Sequence, residues 1–234
     1  GFADEFDGPA LGDEWSPTRF PGNNGAYIGA PNFTFETLDG ASVMRLTNTL
    51  NNNQRVGWTS DAVVPVSQSF SVELRFNTLT QSADTGIDGL VDLLLIDQAD
   101  PDRWMGMSFF GSSFGTDRRF SSNSTVAGGG DNRAFAWQDN TWYRFVLEGG
   151  VDRVMRARVL DDAGAELASR TFTAGQGVFP DGFRVALSQY MGSPNRPAPV
   201  DVAVDYLRVT STPVAATPLA MIPRRRNCRS RAGR

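Results

Sequence analysis

Short segments in which apolar and polar residues alternate constrain this chain more than any other feature. From Ser71 to Asn77, for example, Val72, Leu74 and Phe76 alternate with polar side chains. A β-strand turns successive side chains to opposite faces, so this pattern predicts a strand with one buried face. About a dozen such segments lie between turn-forming residues, and no stretch carries the apolar stripe of a long helix. The pattern therefore predicts an all-β chain, built as a sandwich or a barrel.

The residue types that are missing narrow the possible chemistry. All 22 basic residues are Arg, so the chain has no Lys and no His, and Cys228 is its single cysteine. These absences exclude Ser-His-Asp and Cys-His hydrolases, Schiff-base chemistry and His-ligated zinc. One cysteine also excludes an intrachain disulfide and a cysteine-cluster metal site. Carboxylates, Arg, Tyr, amides and aromatic rings remain as functional groups.

Length and charge predict one domain with a tail. A single all-β domain can reach about 250 residues, and the alternation here stops after Thr210. Residues 1–210 are predicted to form the domain, and residues 211–234 a Pro/Ala linker with a disordered tail. Residues 224–234 hold six arginines and no acid, which leaves 16 arginines against 26 acidic residues elsewhere, a net charge of −10. This balance argues against nucleic-acid binding by the folded part, and no apolar stretch reaches the roughly 20 residues of a membrane span.

Four motifs in chain order carry a resemblance to a known family. The first motif begins at Phe2 and reads F-A-D-E-F-D-G, followed by Trp15. The second begins at Ser69 and reads S-F-S-V-E-L-R-F. The third begins at Trp142 and reads W-Y-R-F-V-L-E, and the fourth begins at Val204 and reads V-D-Y-L-R-V. The set resembles the concanavalin A-like lectin/glucanase superfamily, in particular bacterial laminin-G-like domains, over residues 2–210. The resemblance implies a two-sheet antiparallel β-sandwich of jelly-roll type, secreted or at the cell surface. A first residue of Gly rather than Met is compatible with a processed secretory protein.

The resemblance also implies a structural calcium ion at Asp205. Alternation places this carboxylate on the strand face of Ala203, Leu207 and Val209, where an unpaired charge is costly. Relatives complete such a site with backbone carbonyls, which would here lie near Asp7 and Gly40. Calcium accepts oxygen ligands in loose geometry. The alternative is an Asp satisfied by backbone N–H groups or by an Arg.

The catalytic motifs of the resembled enzymes are missing. Family 16 glycosidases carry E-x-D-x-x-E on a central strand, and the matching segment, residues 103–110, reads R-W-M-G-M-S-F-F without a carboxylate. Alginate-lyase relatives use a Q-I-H triplet, and this chain has no His. Both departures count against catalysis.

In the resembled fold, the sheet face of Glu73 and Arg75 lines a concave groove, and a polar cleft on this face is the predicted ligand site. Glu73 and Arg75 lie two apart on one strand face, and Asp92 interrupts an apolar run. Sugar rings stack on aromatic surfaces, while their hydroxyls need polar partners. The predicted ligand-binding residues are Glu73, Arg75, Asp92, Trp104, Arg184 and Tyr190, with Ser188 beside them. Further aromatic candidates, each with core packing as the alternative, are Trp58, Phe109, Phe110, Phe114 and Trp137. Trp15 and Trp142 are predicted to lie in the core. For the polar residues, the alternative is a salt-bridged, solvated sheet face or a buried Asp–Arg pair.

Three functions follow, in order of preference. The first is a secreted, monomeric module that binds a polysaccharide or glycan without catalysis. The second is a polysaccharide-degrading enzyme with an atypical site, in which Glu73 and Asp92 would be the two carboxylates at glycosidase separation. The third is a structural or adhesion module at the cell surface.

Overall fold

The computed structural model is built from β-strands. It describes residues 1–8, 10–17, 32–48, 54–65, 69–81, 87–111, 118–125, 130–132, 135–150, 154–173, 179, 181–191 and 200–212. The strands are β1 (Phe2–Asp4), β2 (Trp15–Pro17), β3 (Asn32–Leu38), β4 (Ala41–Asn48), β5 (Gln54–Ser60), β6 (Ser69–Asn77), β7 (Ile87–Asp97), β8 (Trp104–Gly111), β9 (Arg118–Ser124), β10 (Gly130–Asn132), β11 (Trp142–Gly149), β12 (Val154–Asp161), β13 (Glu166–Thr173), β14 (Phe183–Met191) and β15 (Val200–Thr212). The described part of the chain contains no helix, and thus none that could cross a membrane. The predicted linker and tail begin at residue 211, whereas β15 continues to Thr212, and the residues beyond Thr212 lie outside the described part of the chain.

The strands form two antiparallel sheets. The eight-stranded sheet has the order β13-β12-β11-β6-β15-β4-β3, with β1 also paired to β15. The seven-stranded sheet has the order β10-β9-β8-β7-β14-β5-β2. Neighbours in both sheets are often distant in sequence, as β6 beside β15 and β7 beside β14 show. The all-β, two-sheet fold class is confirmed.

The core lies between the two sheets because each strand turns its alternating apolar side chains inward. Val72, Leu74 and Phe76 are fully buried, as the alternation in β6 predicts. Aromatic rings join the sheets: Phe76 of the eight-stranded sheet lies 5.4 Å from Phe109 of the seven-stranded sheet, with the ring planes at 72°. This edge-to-face geometry is favourable for aromatic pairs. The faces turned away from this core are called the outer faces below.

A β-bulge in β15 changes the predicted alternation. Val204 pairs with Phe76 and Tyr206 pairs with Arg75, so the register shifts between them and Asp205 is the extra residue. Leu207 and Val209 therefore turn into the core, while Asp205 and Tyr206 both reach the outer face. The expectation that Asp205 shares a face with Leu207 and Val209 is wrong, because a bulge shifts the period by one residue.

Candidate functional site

The predicted ligand residues divide between two sheets. Glu73 and Arg75 lie on β6 in the eight-stranded sheet, whereas Asp92, Trp104, Arg184 and Tyr190 lie on β7, β8 and β14 in the seven-stranded sheet. Val72 and Leu74 of β6 and Leu93 and Leu95 of β7 fill the core between them. The two groups therefore occupy opposite outer faces, and the expectation of one shared cleft is wrong. Glu73 and Asp92 cannot form a glycosidase pair across the core.

A row of small residues, one glycine and four polar side chains, crosses the outer face of the seven-stranded sheet. Strand pairing sets its members side by side on five neighbouring strands. In sheet order they are Gly57, Ser188, Asp92, Ser108 and Ser121. We call this set the Asp92 row.

Asp92 is the centre of the row. The Ser108 hydroxyl donates to its Oδ1 at 2.5 Å, and the Ser188 hydroxyl donates to its Oδ2 at 3.1 Å. The carboxylate is only 1% exposed, and the two serines are 6% and 1% exposed. A buried carboxylate is stable only when such donors satisfy it.

Glycines make room for the row. A Cβ at Gly89 would lie 2.5 Å from Asp92 Oδ1, and a Cβ at Gly57 would lie 2.6 Å from the Ser188 Cβ. Both distances are shorter than side chains tolerate, so each position requires glycine for this packing. Asp92 and Ser188 were predicted from the sequence as residues of the site, whereas Ser108, Ser121 and these glycines were not. Ser108 carried a signal, since it is the one polar side chain in β8.

Larger side chains border the Asp92 row. Tyr190 pairs with Gly89 on one side of the row and is half-buried. Phe110 lies two residues beyond Ser108 on β8 and carries the Arg119 guanidinium 4.6 Å above its ring. These two rings are the aromatic surfaces that the described residues place beside the row.

Trp104 lies on the other side of the row, but it is packed. With Leu94, Ile96 and Ala186 it forms a separate apolar cluster on this outer face, and it is 6% exposed. The expectation that Trp104 offers an open stacking surface is therefore wrong in this structure. Trp58, Phe109 and Trp137 also belong to the core, and Phe114 lies outside the described residues.

Arg184 of β14 forms hydrogen bonds with the chain at the end of β5. Its Nη1 donates to the Ser60 carbonyl at 3.0 Å and also to the Asp61 carbonyl. Its side chain is 32% exposed, so part of the guanidinium faces solvent. It shares the outer face of Asp92 and Tyr190, but its hydrogen bonds go to backbone carbonyls, and the Asp61 carboxylate lies 3.9 Å from its Nη1.

The opposite outer face carries a network of ion pairs. Arg75 contacts Asp205 at 2.5 Å and Asp162 at 2.8 Å, and its guanidinium lies 4.1 Å from the Trp142 ring centroid. Trp142 is thus on the outer face, although the sequence pattern favoured the core. Glu73 accepts a hydrogen bond from the Tyr206 hydroxyl at 2.6 Å. The alternative of a salt-bridged sheet face is what the structure shows here.

Titration of this face follows from its contacts. Burial and the hydrogen bond to Glu73 raise the pKa of Tyr206 to about 12. A hydrogen bond from Arg75 lowers the pKa of Asp162, and one from Arg208 lowers the pKa of Glu5. The charged groups of this face therefore stabilise one another.

The predicted calcium residues do not fit a calcium ion in this arrangement. Asp205 is bound to Arg75, and a cation at the same carboxylate would face the positive guanidinium. Asp7 is exposed, and Gly40 occupies the β3–β4 turn with a φ of 83°. Among the described residues, no three acidic side chains or cysteines are grouped to hold a metal. Calcium at Asp205 stays a prediction for measurement.

Solved structures with the same architecture include carbohydrate-binding proteins. A CBM2 module of the evolved Dit protein of Lactobacillus casei BL23 phage J-1 matches with a TM-score of 0.63 and 15% identity, over 92% of this chain and 96% of that chain. Lectin II from Ulex europaeus matches with a TM-score of 0.60 and 11% identity, over 89% and 97%. A family 16 glycosyl hydrolase from Mycobacterium smegmatis matches with a TM-score of 0.55 and 16% identity, over 89% and 99%.

These matches establish the fold. They confirm the resemblance to the concanavalin A-like superfamily and the jelly-roll sandwich. No curated protein matches the sequence of this chain. A family model described as "SO2946-like, C-terminal domain" matches residues 39–186, which is more than half of the chain.

Proposed function

The chain belongs to the SO2946-like, C-terminal domain family, and we propose that it binds carbohydrate through the outer face of its seven-stranded sheet. The observation that carries the proposal is the Asp92 row with its two bordering rings, Tyr190 and Phe110. Carboxylate and hydroxyl oxygens bind sugar hydroxyls, and aromatic rings bind the C–H faces of the sugar. The similarity of the fold to a lectin and to a CBM2 module supports the same assignment.

The choice between the two faces rests on how the polar groups of each face are arranged. On the eight-stranded sheet, Arg75 and Glu73 are tied to Asp205 and Tyr206, so a ligand would have to break ion pairs to reach them. On the seven-stranded sheet, the polar atoms lie in a continuous row across the strands, and a saccharide chain can follow that direction. We therefore assign the ligand to the seven-stranded sheet.

We propose binding without catalysis. Strand β8 crosses the centre of the proposed site and carries no carboxylate, whereas the resembled glycosidases place theirs on the matching strand. Asp92 is the described carboxylate of the row, and a glycosidase of the usual type needs two. Secretion and a bacterial source remain part of the proposal because the resemblance implies them, and a monomeric state remains part of it as a prediction.

A glycan array with the whole chain tests the function. Tyr190→Ala should reduce binding of every positive glycan, because a stacking contact contributes about 1 kcal/mol. Trp142→Ala is the matched control, since it removes an aromatic ring from the opposite outer face and should leave binding unchanged. Melting temperatures of both variants separate lost contacts from lost folding.

Three results would contradict the proposal. The first is an array without a positive glycan. The second is equal loss of binding in Tyr190→Ala and Trp142→Ala. The third is release of reducing ends from a bound polysaccharide, which would favour the enzyme and end the non-catalytic assignment.

A further inference from the structure

We infer that the two aromatic rings beside the Asp92 row hold one sugar unit between them, and that this site selects pyranoses whose ring substituents are all equatorial. The inference rests on the proposed function and adds the stereochemical class of the ligand. It starts from three positions on neighbouring strands, Tyr190 of β14, Gly89 of β7 and Phe110 of β8. We call the space above Gly89, between the two rings, the Gly89 slot.

Alternation along the strands places both rings on the same outer face. Tyr190 and Phe110 each lie two residues beyond a serine that donates a hydrogen bond to the Asp92 carboxylate. Side chains two apart in a strand share a face. Between the two rings β7 carries no side chain, because Gly89 is the residue that pairs with Tyr190. A Cβ at Gly89 would point to this face as well, since it would meet the Asp92 carboxylate.

Strand spacing sets the width of the Gly89 slot. Strands β14 and β8 are the two neighbours of β7. Adjacent strands lie about 4.8 Å apart, so the two rings stand on backbones that are about 10 Å apart. Carbon atoms in contact are about 3.5–4.0 Å apart, so a pyranose with an aromatic ring on each face needs about 8 Å. The Gly89 slot therefore has room for one sugar unit that stands between the two rings.

The rings of the slot reach solvent, although its floor is covered. Tyr190 and Phe110 are half-buried, so each keeps part of its surface exposed. The Arg119 guanidinium lies 4.6 Å from the Phe110 ring centroid, and it comes from β9, on the side of β8 away from β7. It therefore supports the Phe110 ring from behind. A terminal sugar unit that enters edge first contacts the two rings and need not touch Asp92, which is 1% exposed.

The stereochemistry of the ligand follows from contact on both faces. A pyranose whose substituents are all equatorial, such as β-linked glucose or xylose, presents C–H groups on both faces. Two aromatic rings can pack on it without covering a hydroxyl. A sugar with an axial hydroxyl, such as mannose, would turn that hydroxyl against one of the rings. The hydroxyl would lose its water there and gain no hydrogen-bond partner, which weakens binding.

Titration calorimetry of the whole chain with three hexasaccharides tests the inference: cellohexaose, xylohexaose and mannohexaose. All three are uncharged and share one β-linkage, and mannohexaose differs from cellohexaose only in one axial hydroxyl on each unit. The chain should bind cellohexaose and xylohexaose. It should bind mannohexaose at least about tenfold more weakly than cellohexaose, which corresponds to about 1.4 kcal/mol. Equal affinity for cellohexaose and mannohexaose would overturn the inference.

Two variants each remove one ring of the slot. Tyr190→Leu and Phe110→Leu keep an apolar side chain without a flat ring, so each should weaken cellohexaose binding about fivefold. Each should also reduce the preference over mannohexaose, because the axial hydroxyl can then face the open side. Trp142→Leu is the matched control, since it removes a ring from the opposite outer face and should change neither quantity. An unchanged preference in both folded slot variants, or equal losses in all three variants, would overturn the inference.

Tyr190→Phe keeps the experiment decisive if the leucine variants fold poorly. It retains the ring and removes only the hydroxyl, so the affinity for cellohexaose and the preference over mannohexaose should both persist. Loss of the preference in folded Tyr190→Phe would assign it to the hydroxyl and overturn the inference.

The glycan array separates this inference from the proposed function. A positive array without binding of cellohexaose, or without the preference over mannohexaose, would overturn the Gly89 slot and leave the proposed function intact. An array without a positive glycan would overturn both.

Discussion

The two outer faces of this sandwich place their carboxylates in different surroundings. On the eight-stranded sheet, carboxylates and guanidinium groups from different strands meet near the surface, as Arg75 does with Asp162 and Asp205. On the seven-stranded sheet, the carboxylate of Asp92 is buried and accepts hydrogen bonds from two serine hydroxyls. The first arrangement neutralises its charges internally. The second places a buried carboxylate in a row of small side chains that crosses five strands.

The tight packing of the seven-stranded face predicts the largest effect on stability. A Cβ at Gly106 would lie 2.3 Å from the Leu93 carbonyl oxygen and 2.9 Å from the Leu94 Cα, and backbone cannot move aside. Gly106→Ala should lower the free energy of unfolding by about 2–3 kcal/mol, as overpacking does. Gly12→Ala is the control, because its Cβ would meet the flexible carboxyl end of Glu14. Urea denaturation of both variants checks the difference, and equal midpoints would contradict it.

The network of the eight-stranded face predicts a smaller loss. Arg75→Ala removes two ion pairs and the contact with Trp142, and it leaves Asp205 without its arginine partner. The free energy of unfolding should fall by about 1–2 kcal/mol. Arg156→Ala, which removes one exposed pair with Glu166, should cost less than about 1 kcal/mol.

Glycan affinity provides a second test of the difference between the two outer faces. Arg75→Ala should leave glycan affinity unchanged, because Arg75 lies on the face away from the proposed site. A loss of affinity without loss of folding would place the ligand on the eight-stranded sheet, and the assignment of the two faces would be reversed.

Tyr206 gives the eight-stranded face a response to alkaline pH. Its pKa is raised to about 12, above the ordinary value of 10.0, because burial and Glu73 disfavour the phenolate. The folded state therefore holds its proton more tightly than the unfolded state. This contribution to stability is complete below pH 10 and is lost as the pH rises toward about 12. Denaturation between these pH values should show a decline that Tyr206→Phe reduces, and an identical decline in both proteins would contradict the assignment.

The alternation of apolar and polar residues predicts which face of a strand is buried, but it does not predict to which sheet the strand belongs. It predicted the inward positions of β6 correctly, since Val72, Leu74 and Phe76 are all in the core. It could not tell that β6 and β7 belong to different sheets, and so Glu73 and Asp92 were predicted in one cleft. Sheet membership depends on long-range pairing, such as β6 with β15 and β7 with β14, which local periodicity does not encode.

Local departures from the regular alternation were the second reason why some side chains were predicted on the wrong face. The bulge at Asp205 adds one residue to β15, and the faces of Leu207 and Val209 change with it. Trp142 looked like a core residue because aromatic side chains usually are buried, yet it lies under Arg75 on the outer face. The superfamily resemblance correctly implied the sandwich because its motifs depend on the order of the strands rather than on one face.

Of the changes considered, adding calcium should alter the stability of the wild-type chain least. The superfamily resemblance implies a calcium ion at Asp205, whereas the structure gives this carboxylate an arginine partner on a surface already rich in ion pairs. A ligand that binds only the native state adds RT ln(1 + [L]/Kd) to stability, about 2.7 kcal/mol at a hundredfold excess over Kd. With Arg75 in place we expect nearly equal melting temperatures in calcium and in chelator. Arg75→Ala frees the carboxylate, so this variant is the more sensitive probe and should respond more than the wild type. A clear rise of the wild-type melting temperature in calcium, abolished by Asp205→Ala, would show that the ion displaces the guanidinium and that the implied site is present.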